Sequence, residues 1–318
     1  MTTSLSRRQF SATLLAGLGA ITLPAGLAAC SSNGAASAGS AGAGTASGTI
    51  TVGSKDFTEG EILSELYALA LEKAGFTVNR KFDISSSVVH TALTSGDIDL
   101  YPEYTGTALL SILKQPVETD PQKVYDTVKE EYKKEFDLEV LNQAEAADSQ
   151  GLVITTKAAK QYGIKTISDL QQHAAELRFA SQGEFDERED GLPALEKTYG
   201  AFDWKSSRVY DNSLKYEVLK NEEADVAPAY TTEGQLTDTD TYTLLEDDKK
   251  VWPPYNVIPV VRGSVLEEHP EIADALNAVS AKLTTAELTK LNAEVDLDKE
   301  DYEDVAEDYF EDNLEGTN

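Results

Sequence analysis

This 318-residue chain is short of cysteine, with one, of histidine, with three, and of basic residues, with 27 against 56 acidic ones, and each scarcity removes a class of function. A single cysteine, Cys30, excludes an intrachain disulfide. It also leaves the long segment after it without a thiol nucleophile or a thiolate metal site. His90, His173 and His269 stand in no recognisable nucleophile, metal or acid–base arrangement. Asp238-Thr239-Asp240 lacks the glycine and distal glutamate of a calcium-binding loop. The chain is therefore expected to have no catalytic residue, no metal and no cofactor, and an enzyme is the poorest reading of it. The formal charge of -29 argues against nucleic acid, whose phosphates it would repel, and against a polybasic membrane-binding surface. Most of the carboxylates read as a solvated skin. The acidic tail over 296–315, with Tyr302, Val305, Tyr309 and Phe310 spaced through it, reads as a final amphipathic helix.

The N-terminus carries what the remainder lacks, a long apolar run. Ser6-Arg7-Arg8-Gln9-Phe10 precedes an apolar stretch over 12–23, and Leu27-Ala28-Ala29-Cys30 follows it. The order is that of a signal peptide over 1–29, of twin-arginine type, with a lipobox before Cys30. Gly17, Gly19, Pro24 and Gly26 make the same run a poor membrane-spanning helix. Cys30 would then be the lipidated first residue of an extracytoplasmic protein held to the membrane. The segment 30–48 that follows is built of Ser, Asn, Gly, Ala and Thr after the cysteine, a flexible tether with a reach of roughly 20–25 Å.

Beyond Gly48 the chain repeats itself. Asp99-Leu100-Tyr101-Pro102-Glu103-Tyr104-Thr105 returns as Asp225-Val226-Ala227-Pro228-Ala229-Tyr230-Thr231. Around each copy, strand-like and helix-like stretches alternate, as they do around a mainly parallel sheet. Strands are expected over 49–52, 77–84 and 98–101 in the first half and over 152–155, 178–181, 208–210 and 225–229 in the second. Thr58-Glu59-Gly60-Glu61 reads as a capping-box start for the first helix, and Ser168 as the cap of a later one. The strand over 257–261 rejoins the first half. This predicts an α/β fold of two lobes, lobe I from 49–148 and 256–318 and lobe II from 149–255, with two crossings forming a hinge. Ligands in such sheets bind beyond the carboxyl ends of strands, where Lys55, Tyr104, Tyr230 and Tyr255 are expected. Two lobes with a tyrosine at matching strand ends have the anatomy of a ligand clamp.

Four segments together carry a more specific resemblance. They are Gly53-Ser54-Lys55-Asp56-Phe57-Thr58-Glu59, the run from Gly96 to Thr107 containing Tyr-Pro-Glu-Tyr-Thr-Gly-Thr, Glu184-Phe185-Asp186-Glu187-Arg188-Glu189-Asp190-Gly191, and Glu246-Asp247-Asp248-Lys249 with Pro254-Tyr255. In order and spacing the chain resembles the glycine betaine/choline-type substrate-binding proteins of ABC importers. The resemblance implies a type II periplasmic-binding-protein fold and an extracytoplasmic monomer that captures a quaternary ammonium osmoprotectant and delivers it to an ABC permease with its ATPase subunits. It implies that Tyr104, Tyr230 and Tyr255 form an aromatic cage, and that Lys55, Thr107 and Arg188 anchor a ligand carboxylate. A trimethylammonium has no N–H to donate, so the negative faces of aromatic rings are what can recognise it.

Taken singly these residues stay ambiguous. A tyrosine at a strand end is more often a packing residue, Lys55 alone reads as a solvated lysine, and Arg188 among acidic neighbours reads as a surface ion-pair residue. Three departures from the family pattern bear on the ligand. Gln150, following Asp148, stands where relatives carry a fourth tyrosine, Gly60 replaces a glutamine, and Ser85-Ser86-Ser87 replaces Gly-Gly-Thr. These imply a wider or more polar pocket, one that suits glycine betaine, a larger betaine such as carnitine, another zwitterion, or choline. A lipid-anchored sensor built on the same clamp is the other reading.

Overall fold

Strands packed between two helical layers bury side chains on both faces and read as continuous apolar runs. In Val257–Arg262, Val257 and Val261 enter one apolar cluster while Ile258 and Val260 enter another. The computed structural model describes residues 48–315. The signal peptide, Cys30 and nearly all of the tether lie outside the described residues.

Ten strands form two sheets of five. In chain order they are β1 (Thr49–Lys55), β2 (Thr77–Ile84), β3 (Leu100–Tyr104), β4 (Leu138–Val140), β5 (Gln150–Thr155), β6 (Arg178–Ser181), β7 (Ser206–Val209), β8 (Val226–Tyr230), β9 (Tyr242–Leu244) and β10 (Val257–Arg262). The orders are β2-β1-β3-β10-β4 and β7-β6-β8-β5-β9. Position by position the sheets match, so the repeated heptapeptide occupies the central strand of each, β3 and β8. Four strands of each sheet run one way, as the alternation had implied, and one runs against them. β10 runs against both β3 and β4, and β5 against both β8 and β9. The physical reason is the crossing: each of these strands arrives from the other sheet and enters at the edge where its neighbours end.

The repeat has a structural meaning at both ends. Asp99 and Asp225 precede their strands and tie them to the next one. The Thr51 N–H donates to Asp99 Oδ2 at 2.8 Å, and the Arg178 N–H to Asp225 Oδ2 at 2.9 Å. At the other end the threonines clasp the crossing segments. Thr105 Oγ1 accepts from the Asn256 N–H and donates to the Pro254 carbonyl, both at 3.0 Å. Thr231 Oγ1 accepts from the Ser149 N–H at 2.8 Å and donates to the Ala147 carbonyl at 3.2 Å. The two crossing segments themselves pair through an antiparallel bridge between Ala147 and Asn256.

The first helix, α1 (Thr58–Lys73), buries Ile62, Leu63, Leu66, Tyr67 and Leu71. It packs on β1 and β2 and is covered by the helices that close the chain, α2 (Glu271–Ser280), α3 (Thr285–Asp296) and α4 (Tyr302–Asn313). The expected capping box at its start does not form. Phe57 is the N-cap, Thr58 donates instead to Asp296 Oδ1 at 2.8 Å, and Glu59 turns into the protein. Ser168 is likewise not a cap: Thr166 and Asp169 make that capping box, and Ser168 Oγ donates to Asp248 Oδ2 at 2.6 Å. The acidic tail does form a helix, burying Val305, Ala306, Tyr309 and Phe310 on one side of α4.

The two aspartates test the repeat. Asp225→Ala removes the acceptor for the Arg178 N–H and for its guanidinium, and is expected to cost about 1–3 kcal/mol, less whatever solvent screening takes from the half-exposed arginine. Urea unfolding of the variant beside Asp99→Ala checks that both lower the midpoint.

Candidate functional site

In an antiparallel neighbour the start of one strand lies beside the end of the next, so the crossing strands bring their own residues to the edge where β1, β3 and β8 end. Val257 at the start of β10 is opposite Tyr104 at the end of β3. Gln150 at the start of β5 is opposite Tyr230 at the end of β8. Tyr255 therefore reaches this edge by preceding a strand, not by following one as the sequence had implied. Its ring lies against backbone: a Cβ on Gly106 would come within 2.7 Å of it, so the Tyr-Thr-Gly-Thr stretch admits the ring only because residue 106 is glycine.

On the first sheet Lys55 and Tyr104 meet. Lys55 is 4 % exposed, its Nζ ion-pairs with Glu103, and it sits 4.8 Å from the centre of the Tyr104 ring. Glu103 is further fixed by the Tyr101 hydroxyl and the Tyr104 N–H, each at 2.7 Å. The Tyr104 hydroxyl donates to Glu59 Oε1 at 2.7 Å, and Phe57 stacks on its ring at 6.3 Å. Thr107 is half-buried one turn further on.

On the second sheet and the return crossing the meeting point is Asp190. Arg188 grips it with Nε at 2.9 Å and Nη2 at 2.7 Å. Gln150 Nε2 and the Tyr255 hydroxyl each donate to Asp190 Oδ2 at 3.1 Å, and Trp252 Nε1 donates to the Asp190 carbonyl at 2.6 Å. Burial alone would raise the Asp190 carboxyl, but Arg188 and Tyr255 hold it below the usual carboxylate range. Beyond it, Lys215 sits 5.7 Å from the centre of the Tyr230 ring and pairs with Glu233, which also accepts from Tyr216.

Between the two groups lie two acids to which, among the described residues, no basic side chain is bonded. Glu59 accepts from Tyr104 and, at 2.8 Å, from Asn292 of α3, whose amide also reaches the Thr232 carbonyl at 2.8 Å. Asp148 is half-buried and accepts from the Thr232 N–H at 3.4 Å. Burial raises both carboxyls above their ordinary values, and the charge of Glu59 adds to the rise at Asp148.

Of the residues expected from sequence, Lys55 with Tyr104, and Arg188 with Gln150 and Tyr255, are thus joined. Tyr230 is adjacent to Gln150 by register, and the Asp148 N–H donates to the Tyr255 carbonyl at 3.1 Å. Cys30 lies outside the described residues. Sequence reasoning passed over Glu59, Glu103, Asp190, Lys215 and Glu233. Glu59, Glu103 and Asp190 stood inside the quoted motifs, where an acid beside an expected cation was the available signal. Lys215 and Glu233 flank the second tyrosine but carried none.

With this geometry in place the comparisons with known proteins are informative. A family model, the substrate-binding domain of ABC-type glycine betaine transport systems, matches residues 48–312. The chain belongs to this family. It is 32 % identical over 276 residues to the carnitine transport binding protein OpuCC of Listeria monocytogenes, covering 85 % of this chain and 89 % of that protein. It is 33 % identical over 265 residues to the ergothioneine transport permease/ergothioneine binding protein EgtU of Helicobacter pylori, covering 82 % of this chain and 47 % of that longer protein, so it spans about half of it. A crystal structure of a glycine betaine/carnitine/choline ABC transporter protein matches with a TM-score of 0.76 at 29 % identity, over 84 % of this chain and 98 % of the other. The two-lobed α/β fold of the binding proteins is therefore the fold of this chain, and the family is one of transport binding proteins, not enzymes. No helix among the described residues is long and apolar enough to cross a membrane.

The raised carboxyl of Glu59 predicts a pH effect with a definite sign. A group that binds its proton more tightly when folded contributes stability at low pH that is lost as pH rises from the ordinary carboxylate range, about 4, through its folded value. Glu59→Gln, which cannot ionise, is expected to flatten the fall in melting temperature between acidic and neutral pH. Thermal unfolding of both proteins across that range checks it.

Gly106→Ala tests the ring seat. The added methyl displaces Tyr255, and the expected outcome is a loss of about 1–3 kcal/mol in stability, measured by denaturant unfolding.

Proposed function

We propose that this chain is the extracytoplasmic capture component of an ABC importer for a quaternary ammonium osmoprotectant, glycine betaine or a related betaine. It works as a monomer tethered to the membrane through a lipid at Cys30 and hands its ligand to a permease driven by ATPase subunits. What supports the reading is that Tyr104 and Tyr230 end the matching strands β3 and β8, that Tyr255 leads into β10 beside Tyr104, and that the buried Glu59 accepts from Tyr104 while the half-buried Asp148 is bonded to the Tyr255 backbone. Rings and carboxylates favour a cation, and neither needs the cation to donate a hydrogen bond. Tyr104, Tyr230 and Tyr255 are assigned the trimethylammonium, and Lys55, Thr107 and Arg188 the carboxylate. The cleft opens and closes by bending at the paired crossing segments, and the closed form is the one the permease receives.

A second reading, a larger ligand such as carnitine or a carboxylate-free one such as choline, is favoured by Gln150. Where relatives place a fourth ring, this side chain is drawn to Asp190, leaving the box three-walled.

Calorimetric titration of the full-length chain with glycine betaine, proline betaine, carnitine and choline tests the proposal. At least one is expected to bind. Tyr230→Ala should weaken every quaternary amine, by about 0.5–2 kcal/mol for the lost ring face. Arg188→Ala should weaken carboxylated ligands far more than choline. Equal losses for both ligand types in the arginine variant would contradict the assigned roles.

A further inference from the structure

Both cations assigned to a ligand carboxylate already hold a carboxylate of the protein, and the two pairs differ in kind. Glu103, on Lys55, is 1 % exposed in the central strand β3 and is bound from three sides, so it is part of the wall. Asp190, on Arg188, lies in the loop before the helix Leu192–Tyr199, with its side chain 14 % exposed. The loop is tight: a Cβ on Gly191 would fall 2.1 Å from the Phe185 carbonyl oxygen. Trp252 holds the Asp190 backbone carbonyl at 2.6 Å, so the residue is fixed where its carboxylate faces Arg188, Gln150 and Tyr255.

A guanidinium binds a carboxylate best through two parallel N–H bonds from one edge. The Nε/Nη2 edge of Arg188 is occupied in that way by Asp190. A ligand carboxylate seeking that edge meets a group of its own charge and shape, and gains from Arg188 only by exchange with it. Trading one carboxylate for another returns little net free energy, whereas choline, which has no carboxylate, does not enter that exchange; the ammonium groups of Lys55 and Lys215 near the Tyr104 and Tyr230 rings face both ligands alike, so the choice between the ligands falls to Arg188.

We propose that Asp190 acts as an internal stand-in for a ligand carboxylate on Arg188, and that by competing for it this residue sets how far the cleft prefers carboxylated quaternary amines over choline. The inference rests on the quaternary-ammonium reading above and adds a residue that sets specificity.

The test is calorimetry on the full-length chain with glycine betaine and choline as probes, comparing the natural protein, Asp190→Asn and Asp190→Ser. Asparagine keeps the shape and can still accept from Gln150 and Tyr255, while serine removes the charge with a shorter side chain, so failure of one variant to fold leaves the other. The expected result is a rise of about tenfold in the glycine betaine to choline affinity ratio in the folded variants. A ratio unchanged from the natural protein, or equal losses for both ligands, overturns the proposal and makes Asp190 a brace of the loop. Binding of neither probe by the natural protein or the variants overturns the quaternary-ammonium reading together with it, a result distinct from an unchanged ratio.

Discussion

The pairing of two chain segments that cross in opposite directions constrains everything else in this molecule. Residues around Ala147 leave the first sheet, those around Asn256 return to it, and the two lie side by side, each clasped by the threonine that ends one copy of the repeat. Because both crossings run together, β5 and β10 must enter their sheets against the direction of their neighbours. That reversal carries Gln150 and Tyr255 to the edge where Tyr104 and Tyr230 already stand. The placement of these four residues is thus a consequence of the connection.

The electrostatics of the edge follow from its burial. Away from water an unpaired ammonium or guanidinium is costly, and Lys55, Arg188 and Lys215 each lie against a carboxylate. Acids outnumber these bases, and the surplus, Glu59 and Asp148, takes hydrogen bonds from neutral groups instead.

Much of this was legible in the chain itself. The repeat announced two equivalent halves because Asp, Pro, Tyr and Thr at fixed spacing each have a local job: a tie to the next strand, a fixed backbone angle, a ring at the strand end and a clasp. The alternation of elements was readable for the same reason, since apolar period follows local geometry. Strand direction was not, because it is decided by where a chain arrives from, and no residue of β10 encodes that. The helix start at Thr58 misled for a related cause. Its capping signal was genuine, but Asp296 and Tyr104, distant in sequence, made better partners for Thr58 and Glu59 than the helix end did. Asp190 was overlooked because it stood in a run of acids where any member reads as surface charge, and only the fold singles one out.

The order in which strands join their sheets also bears on how the chain can assemble. The second sheet is complete within one continuous stretch, from β5 to β9, whereas the first lacks its fourth strand until the chain has passed Arg262. Until then β3 has an open flank of unpaired backbone groups facing the gap that β10 will fill, and α1 lacks the three helices that cover it. Contacts so far apart in sequence are slow to form, and an open strand edge is a template for wrong pairing. The second sheet can therefore pair from one continuous stretch, whereas the first needs the chain beyond Arg262 before its strands are all present.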